Sequence, residues 1–500
     1  MTQLGPPRRA RTTSALALVA LAAIAWLAGS WAVVPSAHAD PPPSYEVFTG
    51  SVDAFYQVPD PLPAGAPGAL IRVQAVSATS TATTVRMMYH SIDASGRDRA
   101  VTGTMTYPNA APPPGGWPVM SIANGTVGLA PKCAPSRSGN PAYDFGIGGV
   151  AVDSDYIGMG PPDELLAYLS RPSEAHSVLD AVRAARNYSA AGAGDRFVVL
   201  GGSQGGHGAL SANELAASYA PELDLLGTVA LAPAAMFDRT YGAIDVLVAR
   251  VVGAMGLLGL TTEHPEISLG DYVSAAGMPA FDTMRTECRD AVITAVLSVP
   301  FDDFYVHDPI VTEPARSIIL ANDVGNVRAD SPVLLVQGTA DITVFPARTH
   351  DLLARMCGVG QVTEYVEVPG ADHGNVTGMA IDQIRSWLAD RVAGRAAPDS
   401  CPDLAPVTSS TTTTVPPSSS STPPTTASPT TASPTSAVAT ASTIPVAPVA
   451  VDGGRSGAAR TEGRLPTTGA PLVLLGVASL LCLGGGIVGV AASRRRGLRR

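Results

Sequence analysis

Short apolar runs rich in β-forming residues recur along this chain and alternate with stretches of helical spacing. The runs at 71–77, 83–90 and 100–107 come first, and the last two alternate apolar with polar positions, as half-buried strands do. Residues 91–96 between them read as a hairpin connection. Further strands are predicted at 117–123, 149–153, 197–200, 225–231, 332–337 and 363–368; those at 117–123 and 197–200 have the apolar character of buried strands. Helices are predicted at 173–186, with Ser173 at the cap and Ala175, Val178, Leu179 and Val182 on the apolar face, and at 209–218, 347–356 and 380–392. An antiparallel opening followed by β-α-β alternation predicts an α/β fold with a mixed, mostly parallel sheet flanked by helices. From 234 to 326 the strand pattern stops, and helical stretches at 244–258 and 284–297 are separated by Gly and Pro breaks. Such an insertion leaves an open sheet at the carboxyl ends of its strands, where ligands bind, so a cap or lid is predicted. A purely structural helical subdomain is the other reading.

Composition confines the fold to part of the 500 residues. Residues 1–39 carry Arg8, Arg9 and Arg11, an apolar stretch at 15–27, and Ala37-His38-Ala39 before Asp40, the layout of a secretory signal peptide. A Pro-rich stretch at 40–67 is predicted to wrap the surface irregularly. The catalytic domain is expected at 40–401, followed by a Ser/Thr/Pro-rich stalk at 402–464 that cannot bury a core. Residues 465–500 open with Leu465-Pro466-Thr467-Thr468-Gly469, continue with an uncharged apolar run, and end in arginines. The formal charge is −10, but without the two ends 24 basic residues face 42 acidic ones. So acidic a surface argues against nucleic acid as a partner. Of five cysteines, Cys482 lies in the tail, leaving Cys133, Cys288, Cys357 and Cys401. Two disulfides are expected in an exported domain, and no spacing resembles a zinc site.

The chemistry centres on Gly201-Gly202-Ser203-Gln204-Gly205, between a predicted strand and a predicted helix. This is the pattern of a strained nucleophile turn, whose flanking positions must lack side chains. A serine hydroxyl needs a base, and the base needs a group that orients it. In such turns the order along the chain is serine, acid, histidine, with acid and base on loops after strands. Asp341 and His373 meet both conditions. Asp323 is the runner-up acid; His350 falls within a predicted helix, His207 and His176 read as helix residues, and Asp372 as a turn residue. The oxyanion donors expected are the amides of Gln204, after the nucleophile, and Thr126, in the loop after an earlier strand, with the Thr126 hydroxyl as a third. No cofactor and no metal is called for.

Taken together, Asn124-Gly125-Thr126-Val127-Gly128 running to Cys133-Ala134-Pro135-Ser136, Asp155-Tyr156 with Gly158 and Gly160, the helix ending 180–185, and Gly201 to His207 resemble the secretory lipase family. The resemblance covers residues 60–401 and implies an α/β-hydrolase with a helical cap, acting on carboxylic esters that include triacylglycerols. It also implies the pairings Cys133–Cys288 and Cys357–Cys401. Where the family would be expected to read His-Gly-Thr, this chain has Asn124. The tail resembles a sortase substrate, which implies sortase and peptidoglycan as partners and display on the cell wall or membrane of the exporting cell. The expected function is an exported serine esterase or lipase with a small ester or lipid substrate. The alternatives are a secreted serine peptidase or amidase of the same fold, and a catalytically idle surface-binding protein.

Overall fold

The computed structural model describes residues 44–240 and 247–404. The predicted signal peptide, the stalk beyond 404, the 465–469 pentapeptide and the apolar tail lie outside the described residues. In the compact unit that begins at Val47, a mixed sheet contains β1 (Leu70–Ala78), β2 (Ala82–Ile92), β3 (Asp98–Pro108), β4 (Trp117–Ala123), β5 (Val150–Ser154), β6 (Ala193–Gly202), β7 (Asp224–Leu231), β8 (Val333–Gly338) and β9 (Thr363–Val368). Their order is β1-β2-β3-β5-β4-β6-β7-β8-β9. β1, β2, β3 and β5 pair antiparallel in turn, and every later pairing is parallel. The chain has the α/β architecture its apolar pattern predicts.

Successive residues of the central strands point to opposite faces, as the period of two requires. Val198, Leu200, Val229, Leu231, Leu334 and Val336 meet Trp387 and Leu388 of helix Ile381–Val392 on one face. Ala230, Val333 and Leu335 meet Leu352, Leu353 and Met356 of helix Pro346–Gly358 on the other. The predicted helix at 173–186 is α1 (Arg171–Asn187), and its cap is Ser170 rather than Ser173. Pro172 accounts for the shift, because its fixed φ suits the first turn. The stretch predicted to be irregular at 40–67 contains the short helix Val52–Phe55, and Phe55 and Tyr56 are fully buried.

Between β7 and β8 the described residues form helices α3 (Leu247–Leu260), α4 (Met278–Thr286), α5 (Arg289–Leu297) and α6 (Ala315–Ala321), α2 being Gln204–Tyr219. The single helix predicted at 284–297 is broken. Cys288 is extended, with φ −88° and ψ 172°, because it bonds covalently to Cys133 and forms an antiparallel bridge with Gly128. The far end of this insertion is fastened to the core. Glu214 of α2 accepts the amides of Gly325 and Asn326 at 2.7 and 3.1 Å, and the Arg171 amide donates to Asn322 Oδ1 at 2.7 Å. Asp323 accepts the amides of Met236 and Phe237 at 2.9 and 3.2 Å and the Arg355 guanidinium at 2.6 Å, joining both ends of the insertion.

Candidate active site

β6 passes into α2 through Ser203, which sits at φ 58° and ψ −120°. An L-residue adopts that left-handed conformation only under strain, and the neighbours must give way to it. A Cβ on Gly201 would lie 2.0 Å from the Gly205 carbonyl oxygen, and one on Gly205 2.1 Å from the Ala123 oxygen. Glycine is therefore a steric requirement at 201 and 205. The Ser203 amide donates to Leu231 O at 2.9 Å, and its carbonyl accepts from Ala234 at 3.0 Å. Its hydroxyl is half-buried and, among the described residues, has no hydrogen-bond partner.

Strand register carries the other groups to the same edge. Ala123, Gly201, Ala230, Leu335 and Tyr365 form one row across β4, β6, β7, β8 and β9. Thr126, Ser203, Asp341 and His373 all lie on the segments that leave this row at the carboxyl ends of parallel strands, the edge where α/β sheets hold ligands. His373 is 5% exposed and Asp341 2%. His373 Nδ1 lies 2.7 Å from Asp341 Oδ2. A proton on Nδ1 satisfies that bond and leaves the Nε2 lone pair free to accept. Asp341 Oδ1 accepts the amides of Thr343 and Val344 at 2.8 and 2.9 Å, and Gln337 adds a contact of 3.3 Å to Oδ2. One carboxylate oxygen of Asp341 thus holds its own turn while the other serves the histidine.

The loop after β4 lies against the Ser203 turn. Tyr156 donates to Asn124 O at 2.9 Å, and Asn124 Nδ2 donates to Ser154 O at 2.9 Å and to Asp153. Burial, then the neighbouring Asp155, pushes the Asp153 carboxyl well above its ordinary range. The two hydrogen bonds of the Asn124 side-chain amide pin the loop to β5. On the insertion side, the Arg289 amide donates to Val127 O at 2.9 Å, and the Cys133–Cys288 bridge closes beside it. Gln204, the first residue of α2, is 1% exposed, and its side chain donates to Glu174 Oε1 at 2.9 Å.

The remaining candidates have other partners. Asp323 joins the ends of the insertion. His350 is on helix Pro346–Gly358, exposed, and pairs with Glu367 at 2.8 Å. His176 stacks on Tyr219 with centroids 3.8 Å apart, and Asp372 accepts the amides of Gly374 and Asn375 in a turn. His207 is fully buried and more than a packing residue. Its Nδ1 lies 2.7 Å from Glu174 Oε2 and its Nε2 2.8 Å from Asn322 O. Burial lowers the imidazole, but Glu174 outweighs it and the net shift is upward, as an imidazolium donating from both nitrogens requires. Glu174 was not singled out from the sequence; a glutamate in the first turn of a helix reads as surface, and only the pairing with Gln204 and His207 marks it. Both disulfides named by the resemblance are present, Cys133–Cys288 and Cys357–Cys401. Among the described residues no group of His, Cys, Asp and Glu is arranged to hold a metal ion.

A family profile described as Secretory lipase matches residues 147–400. A Mycobacterium tuberculosis protein described as a probable inactive lipase is 21% identical over 379 residues, covering 70% of this chain and 84% of that one. The secreted triacylglycerol lipase LIP5 of Malassezia globosa is 22% identical over 253 residues, covering 47% of this chain and 53% of that lipase. Among solved structures, Candida antarctica lipase A matches with a TM-score of 0.59 at 20% identity, over 69% of this chain and 87% of that one. The rice cell wall degrading esterase LipA of Xanthomonas oryzae matches with a TM-score of 0.53 at 17% identity, over 65% and 97%. These structures share the fold described above.

Proposed function

Because the chain belongs to the secretory lipase family, we propose that it is an exported serine hydrolase of carboxylic esters, with lipid esters such as triacylglycerols within its substrate class. Ser203 Oγ attacks the ester carbonyl while His373 Nε2 takes its proton. Asp341 holds the imidazole by Nδ1 and stabilises the charge that forms on it. The amides of Gln204 and Thr126 receive the oxyanion. Collapse expels the alcohol, which takes the proton back from His373, and leaves Ser203 acylated. Water then releases the acid by the same steps. The observation that supports this most is the buried 2.7 Å bond between His373 and Asp341 on the sheet edge that also bears the strained Ser203.

The test is fluorophosphonate labelling with steady-state hydrolysis of p-nitrophenyl esters. The probe should modify Ser203, and Ser203→Ala and His373→Ala should each lower kcat by about 10⁴-fold or more, with the double variant little worse. Near-normal turnover in Ser203→Ala would overturn the reading. One relative is described as a probable inactive lipase; total inertness of this chain toward ester and probe would favour the idle alternative, and cleavage of peptides over esters the peptidase. The Leu465-Pro466-Thr467-Thr468-Gly469 tail supports a further part of the proposal, that the exported enzyme is joined to peptidoglycan by sortase.

A further inference from the structure

Beside the oxyanion loop, Tyr168 OH lies 2.8 Å from Thr126 Oγ1. Tyr168 is 1% exposed, whereas Thr126 is half-buried. Among the described residues neither hydroxyl has another hydrogen-bond partner. The pair carries two protons, and only one of them can lie between the oxygens. Were Thr126 the donor, the phenol proton would be buried with no acceptor, a costly arrangement. With Tyr168 as donor, its proton is used and the Thr126 proton is left unclaimed. Burial raises the Tyr168 phenol well above its ordinary range, against the Thr126 hydrogen bond, so the donor keeps its proton at any working pH.

We propose that Tyr168 is a positioning residue: its hydroxyl donates to Thr126 Oγ1 and frees the Thr126 O–H to act as a third oxyanion donor beside the Gln204 and Thr126 amides. The inference rests on the Ser203 ester-hydrolase reading. Tyr168 is itself held from two sides. The next residue, Leu169, has φ 58°, and its amide donates at 3.1 Å to Glu174 Oε1, the oxygen that also accepts from the Gln204 side chain at 2.9 Å. One buried carboxylate oxygen therefore ties the Tyr168 segment to the residue that supplies the first oxyanion amide. From the insertion, Gly259 of α3 packs so closely that a Cβ there would lie 2.6 Å from the Tyr168 nitrogen.

The experiment measures kcat and KM on a p-nitrophenyl ester, and the inhibition constant of a trifluoromethyl ketone, which forms a tetrahedral oxyanion. Thr126→Val should lower kcat by about 100-fold, as loss of one oxyanion donor does. Tyr168→Phe should lower kcat by about 10-fold with KM within about twofold, and weaken the ketone in proportion, because it loosens the aim of that donor without removing it. In the Thr126→Val background Tyr168→Phe should cost nothing more, and Thr126→Ser should recover most of the loss of Thr126→Val. Unchanged kcat in a folded Tyr168→Phe enzyme, or an equal loss in both backgrounds, overturns the proposal, the second result assigning Tyr168 to packing. Ser203→Ala in the same series separates the two levels. If it retains turnover, the ester-hydrolase reading has failed; if it is inert while Tyr168→Phe is normal, only the positioning role has failed.

Discussion

Asp341 divides its carboxylate: Oδ2 accepts His373 Nδ1 at 2.7 Å, while Oδ1 accepts the amides of Thr343 and Val344. The loop is folded around the same carboxylate that holds His373. Asparagine keeps an Oδ1 for the two amides but turns an N–H toward His373, which then favours the tautomer unable to take the Ser203 proton. Asp341→Asn should lower kcat by about 10³–10⁴-fold at nearly unchanged melting temperature. Asp341→Ala should lose both activity and stability. Kinetics and thermal melts check this, and an asparagine variant with more than a tenth of normal turnover would remove Asp341 from the mechanism.

Asp323, the runner-up acid, should behave oppositely. Its alanine variant takes the carboxylate from two buried amides and from the Arg355 guanidinium, which keeps Val324 O at 3.0 Å and Asp238 at 3.8 Å, and each buried donor left unsatisfied costs about 1–3 kcal/mol. The denaturation midpoint should fall while kcat per folded molecule stays within about tenfold. A well-folded Asp323→Ala enzyme without turnover would transfer the role of acid to Asp323.

The two disulfides should separate in their effects. Their sequence separations are 155 residues for Cys133–Cys288 and 44 for Cys357–Cys401. Loops of such length are stabilised by about 4–5 kcal/mol when closed, on the chain-entropy account. Serine pairs at either bridge should lower the melting temperature. Only the Cys133→Ser/Cys288→Ser pair should also lower kcat, because Cys288 and Arg289 abut the loop that carries Thr126. Equal kcat in both double variants would show that the oxyanion loop does not depend on the first bridge.

Stability should fall as pH rises through the mildly acidic range. Asp155 is pushed up to about 6 by burial, against hydrogen bonds from Ser136 and Thr102. A carboxyl whose folded value is raised favours the folded state fully below its unfolded value near 4, and loses that contribution as pH climbs through the folded one. The stability advantage of the wild type over Asp155→Asn should therefore shrink between about pH 4 and pH 7. Melts across that range decide it, and an advantage that grows with pH would reverse the sign.

The tail makes a covalent prediction. After muramidase digestion, mass spectrometry should find Thr468 as the last residue, carrying a peptidoglycan fragment, with 469–500 absent. Recovery of the intact tail by detergent alone would reduce it to a membrane anchor.

Much of this site is written locally in the chain. Ser203 stood out because Gly201 and Gly205 flank it in the sequence, although the Gly205 clash is with Ala123 of another strand, and Asp341 and His373 stood out because each follows a strand in the right order. What escaped depends on contacts between distant segments. Glu174 acquires its role from Gln204 and His207, 30 and 33 positions away, and Tyr168 from Thr126, 42 away. Phe55 and Tyr56 sit in a Pro-rich stretch whose composition suggests exposure, yet the core covers them. The break at Cys288 could not be read either, since the apolar residues of α5 continue a helical pattern that the disulfide to Cys133 and the bridge to Gly128 interrupt.

The fastening at the far end of the insertion bears on how such enzymes can be recombined. Gly325 and Asn326 are held by Glu214, and Asn322 by the Arg171 amide and His207, so the far junction is a lock cut for its own key, while Asp323 holds Met236 and Phe237 within the insertion itself. A helical segment transplanted from a homologue would arrive without Glu214, Arg171 or His207, all of which belong to the recipient. Chimeras cut at 234 and 326 should express poorly unless those three residues match the donor. New specificity is more easily sought among the side chains within the insertion than by exchanging it as a cassette.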